Sequence, residues 1–78
     1  MSDLTAEQIE NAHGELFAYS AEFVETVGNN HLSIASNNEW AVWTWDEYTA
    51  ECDLIDRGHE NSYADAYSAA HPALLNLK

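Results

Sequence analysis

The side chains of this sequence that could act chemically are mostly acidic. Fourteen Asp and Glu stand against two basic residues, Arg57 and Lys78, for a formal net charge of −12. Close pairs such as Asp53 and Asp56 could in principle serve as general acid and base. In so acidic a chain, however, such pairs recur too often to mark a catalytic couple, and so small a domain forms a substrate pocket only with difficulty. The nucleophile elbow GxSxG, the phosphate loop GxxxxGK[ST] and the dinucleotide turn GxGxxG are all absent from the sequence. A non-catalytic protein is expected.

Metal binding is the next chemistry to weigh. Cys52 and His59 lie seven residues apart, with His13, His31 and His71 elsewhere. Zinc ligands usually come as pairs two to four residues apart, and no CxxC, HxxxH or HExxH occurs. The acidic segments also lack the alternating Asp/Asn pattern with a central Gly that forms a calcium loop. Neither a metal nor another cofactor is expected. The single cysteine rules out an intramolecular disulfide framework, and nothing at the start has the form of a secretory signal, so a cytoplasmic location is expected. The longest uninterrupted apolar candidate, Trp40 to Trp45, is far too short to span a bilayer.

The elements that must carry these groups follow from periodicity. At 78 residues the chain is expected to form one acidic domain over residues 1–78, because a single core already takes up its apolar surface. Thr5-Ala6-Glu7-Gln8 has the form of a capping box, opening a helix predicted to run to about Val27, with Ile9, Ala12, Leu16, Tyr19, Phe23 and Val27 on its inner arc. Glu7, Glu10, Glu15, Glu22 and Glu25 then fall on the outer arc, spread over about 27 Å of helix axis. Gly28-Asn29-Asn30 closes it. The runs 31–36 and 40–45 alternate around Asn37-Asn38 and predict a β-hairpin. Thr44-Trp45-Asp46-Glu47 reads as a second capping box leading into a helix that carries Tyr48, Cys52 and Ile55 and ends at Gly58. A last helix is predicted from Asn61 or Ser62 until Pro72 interrupts it. The fold class expected is α+β: an N-terminal amphipathic helix, a β-hairpin, then two short helices.

Two candidate contact surfaces result. The first is acidic: Glu7, Glu10, Glu15, Glu22 and Glu25, with Asp46, Glu47, Glu51, Asp53, Asp56 and Glu60 behind the hairpin. Ordinary solvated helices interleave both signs and gain pairs at i to i+4, which are missing here. The plain reading is a solvated face that keeps the chain soluble. The sharper one is a surface that imitates the phosphate array of a nucleic acid and blocks a basic nucleic-acid-binding protein. With so few Lys and Arg, direct contact with nucleic acid or an anionic membrane is disfavoured, so the expected partner is a protein with a basic surface.

The second surface is aromatic. Trp40 and Val42 point to one side of their strand, and Ala41, Trp43 and Trp45 to the other. Either helices cover one side and the chain ends or last segment most of the other, so that all three rings are core, or Trp43 and Trp45 remain available as anchors for a protein partner or for a homodimer. The latter would suit a small accessory or assembly subunit, with acidity serving solubility. In size and charge alone, the chain is similar to small acidic phage and mobile-element proteins that inhibit restriction enzymes, CRISPR effectors or DNA-binding regulators by mimicking DNA. That likeness implies an inhibitor of anti-CRISPR or anti-restriction type and assigns no residues.

Overall fold

In the computed structural model, which describes residues 4–75, Thr5 opens helix α1 (Ala6–Leu16) through the expected capping box. The Thr5 hydroxyl accepts the Gln8 N–H at 3.1 Å, and the Gln8 side chain accepts the Thr5 N–H at 3.0 Å. The helix then stops sooner than its apolar spacing predicts. Phe17 is extended, and the chain continues as strand β1 (Ala21–Val27). Gly28, at φ 62°, and Asn29 turn it into β2 (Asn30–Ala35). A turn with Asn38 in the left-handed region leads to β3 (Glu39–Asp46), a second turn to β4 (Glu51–His59), and Ser62 caps α2 (Tyr63–Leu74).

The strands form one antiparallel sheet in the order β1-β2-β3-β4, and the architecture is α+β. Two helices lie on opposite faces of that sheet. Under α2 pack Leu32, Ile34, Trp40 and Val42, closed by Ala66, Ala70 and Leu74. Under α1 pack Ala35, Ala41 and Trp43, closed by Ala12, Leu16 and Phe17. The near-continuous apolar stretch of β3 follows from its central position, since both of its faces are covered.

Two predicted helical segments are strands, and both carry a β-bulge. In β1 the register steps from Phe23↔Ser33 to Glu25↔Leu32, leaving Val24 as the extra residue. In β4 it steps from Val42↔Asp56 to Trp43↔Leu54, leaving Ile55 as the extra residue. A bulge puts two successive residues opposite one, so strict alternation breaks and a three-to-four spacing appears by accident. Residues 17–27 therefore do not prolong α1, and residues 46–58 form a turn and a strand. Asp46, expected in the first turn of a helix opened by Thr44, instead caps the turn: its Oδ1 accepts the N–H of Tyr48 at 2.9 Å and of Thr49 at 3.4 Å. The hairpin and last helix stand close to their predicted bounds. Pro72, however, lies inside α2 without ending it, because the last turn buries Leu74 completely and the Asn30 side-chain N–H caps the Leu74 carbonyl at 3.2 Å.

Candidate functional site

The carboxylates are distributed differently from the single 27 Å ridge that one long helix would provide. Helix α1 carries Glu7, Glu10 and Glu15, all exposed, over about 12 Å at 1.5 Å per residue. Glu22 and Glu25 belong to β1, the opposite sheet edge from β4. Glu22 is exposed, whereas Glu25 accepts the Tyr67 hydroxyl at 2.6 Å, a bond that raises the phenol's pKa. Glu60 takes a long contact of 3.4 Å from the Trp40 indole N–H.

Along β4, Glu51, Asp53 and Asp56 are exposed on the edge strand, and Asp46 and Glu47 lie just before it. Asp46 and Glu51 are direct cross-strand partners. Like charges so placed repel and destabilise a sheet. Helix α1 joins this set at one point, where the Cys52 thiol donates to Glu15 at 3.2 Å. Burial, then the bond to Glu15 and its charge, push the thiol pKa up to about 11. Cys52 is therefore a protonated donor at neutral pH and an inert nucleophile. Arg57, the sole Lys or Arg among the described residues, bridges the same two elements: its guanidinium donates to the Leu16 carbonyl at the end of α1 at 2.9 Å and meets Glu39 at 3.4 Å. It thereby satisfies a carbonyl left open at the end of α1, and among the described residues no other Lys or Arg accompanies the carboxylates of α1 and β4.

A cleft of about 850 Å³ opens at the end of the sheet where the β1–β2 and β3–β4 turns meet the start of α1. Its walls include Phe23, Trp45 and Tyr48, with Asp46, Glu47 and Asp53. Tyr48, at the tip of the β3–β4 turn, is fully exposed. Trp45 is half-buried, and its Nε1–H, shielded from solvent, has no acceptor among the described residues. His31 also lines the cleft, with Nδ1 2.9 Å from the Thr26 hydroxyl; burial lowers its pKa, so the ring is neutral at pH 7.

Trp43 occupies a different environment. It is fully buried, and its Nε1–H donates at 3.1 Å to Ser33 Oγ, which lies 2.7 Å from His13 Nε2. A serine bonded to a histidine invites comparison with a nucleophile and its base. Ser33 is itself fully buried between β1 and β3, so no substrate reaches it, and the trio serves to satisfy polar groups under α1. Trp43 is thus core, as is Trp40, and of the two rings proposed as anchors only Trp45 reaches a surface. Among the described residues, no group of three or more His, Cys, Asp or Glu is arranged to hold a metal ion, and no helix is long and apolar enough to cross a membrane.

Comparison with protein-family models, with curated proteins and with solved structures gives no significant match. Of the residues expected to bind a partner, the fold brings Glu15 to Cys52 on the α1 face of β4, whereas Glu51 and Asp53 point to the opposite face, and Asp46, Glu47, Asp53 and Trp45 all line the cleft. Glu22 and Glu25 are set apart on β1. Sequence reasoning overlooked Tyr48 as a surface group. Its signal was present, since Asp46 two residues earlier is a turn former whose side chain caps its own backbone.

Proposed function

We propose that this protein is a non-catalytic binding module whose acidic surface imitates nucleic acid and blocks a basic nucleic-acid-binding protein, in the manner of phage or mobile-element inhibitors of anti-CRISPR or anti-restriction type. The observation that carries this reading is the run of exposed carboxylates along the β3–β4 hairpin: Asp46 faces Glu51 across the strands, Asp53 and Asp56 follow on the same face of β4, and Arg57, the sole Lys or Arg among the described residues, is engaged with the Leu16 carbonyl and Glu39. Self-repulsion of this kind costs stability, and a basic partner recovers it on binding. Glu7 and Glu10 on α1, with Glu47, Asp53 and Asp56, extend the surface; Glu22 and Glu25 on β1 are its outlying members. Acidic side chains on an edge strand also discourage strand-to-strand aggregation, which accounts for β4 alone and leaves the carboxylates of α1 unexplained.

A second reading, an accessory subunit docking through aromatic residues, now rests on Trp45 and Tyr48. The two readings separate by salt and by substitution. Under the first, retention of the partner weakens steeply with ionic strength and is lost when Asp53 and Asp56 are both changed to Lys. Under the second, it is insensitive to salt and is lost with Tyr48→Ala.

A further inference from the structure

We infer that the cleft at the sheet end is a receptor for an arginine side chain, presented with its adjoining backbone by a basic polypeptide. This rests on the proposed binding to a basic surface and names the contact that would anchor it. The chemistry of the walls is specific. Trp45, Tyr48 and Phe23 offer aromatic faces, Asp46, Glu47 and Asp53 are among the lining residues, and among the described residues no Lys or Arg lines the space. Aromatic faces next to carboxylates suit a cation that is both flat and weakly hydrated, and guanidinium fits this better than ammonium because it stacks on a ring while its edge donates to carboxylates.

The Trp45 Nε1–H supplies a second, independent requirement. A buried indole donor without an acceptor is costly, and a peptide carbonyl beside the arginine would supply the missing acceptor after a small rotation of the half-buried ring. A free amine or a metal ion would leave that donor unsatisfied. A volume of about 850 Å³ accommodates the side chain together with flanking backbone. A second copy of this chain is a poor occupant, because its surface is dominated by carboxylates and the cleft is acidic.

The test follows the indole N–H signals of the three tryptophans in N–H correlation spectra of the full chain, with Trp45 assigned by Trp45→Phe. The probes are the capped tripeptide Gly-Arg-Gly and its counterpart with citrulline, the neutral isostere of arginine, at low salt. The arginine peptide should shift the Trp45 signal saturably while leaving those of the buried Trp40 and Trp43 in place. The citrulline peptide should not. Asp53→Asn, at an exposed position that leaves the core intact, should weaken the arginine peptide by about two- to fivefold, as expected for one partly screened charge pair. A Trp45 signal that does not move, or that moves equally with citrulline, overturns the inference. If the peptide perturbs only Glu15, Glu51 and their neighbours, the cleft assignment falls while the acidic-surface reading stands. Saturable binding at Trp45, in a protein whose partner survives charge reversal of Glu51 and Asp56, which do not line the cleft, upholds the cleft and removes the broader reading.

Discussion

Gly58→Ala gives a sharp test of how the sheet is packed. Gly58 of β4 is the cross-strand partner of Trp40 on β3, and the buried indole lies over it. A Cβ built at residue 58 would stand 2.6 Å from Trp40 Nε1 and 2.7 Å from both Cε2 and Cζ2. Ordinary contact begins near 3.4 Å, so ring and strand would have to separate by roughly 0.7 Å in a core that packs like an organic crystal. The obstacle is a rigid ring held by Leu32, Ile34, Val42 and α2, not the tip of a flexible side chain. Overpacking of this kind costs about 1–3 kcal/mol. With a urea slope near 1 kcal/mol per M for so small a domain, the midpoint should fall by about 1–3 M. Trp40→Phe in the Gly58→Ala background should restore part of the loss, because the smaller ring clears the new methyl, and a double-mutant cycle would measure the coupling. An unchanged midpoint for Gly58→Ala would refute the seating of Trp40 on β4, and with it the placement of the acidic edge strand.

Three further outcomes are expected. Burial lowers the pKa of His13 and of His31, so the unfolded chain takes up protons first as pH falls below about 6.5; stability should be full above that value and decline below it, read as a lower urea midpoint at pH 5.5 than at pH 7.5. Trp43→Ala should cost about 3–5 kcal/mol, and circular dichroism should show extensive unfolding rather than a folded protein lacking one surface contact, because the ring is entirely core. Ala50→Gly should raise the thermal midpoint, since Ala50 sits exposed with φ 57° in the β3–β4 turn, where a left-handed alanine costs about 1–2 kcal/mol, only partly offset by the greater backbone entropy glycine loses on folding.

How much was legible in the sequence depends on whether the local pattern was regular. The Thr5 capping box, the alternation of Trp40 to Trp45 around the Asn37-Asn38 turn and the helical spacing from Tyr63 to Ala70 are undisturbed, and each marks its element. The bulges at Val24 and Ile55 each insert a residue out of phase, which gave two strands the spacing of helices and moved Glu22 and Glu25 onto an imagined ridge. The β-branched Val24, Thr26 and Val27 beside Gly28-Asn29 were the available counter-signal. Of the candidate site, the acidic residues were evident from type alone. Their grouping was not, because the contact of Glu15 with Cys52 and the tether of Arg57 to Leu16 join residues 37 and 41 positions apart.

The acidic surface is tested most directly by immobilising the chain and measuring retention of basic nucleic-acid-binding proteins at about 50 and about 200 mM salt, a range over which phosphate-like contacts weaken strongly. Wild type should be compared with the double variant Asp53→Lys and Asp56→Lys, its folding verified by an unchanged circular dichroism spectrum. If the surface imitates nucleic acid, binding is strong at low salt, falls steeply across that interval, is displaced by added DNA and is lost in the double variant. Retention that ignores salt and DNA, and persists in the folded double variant, would contradict it.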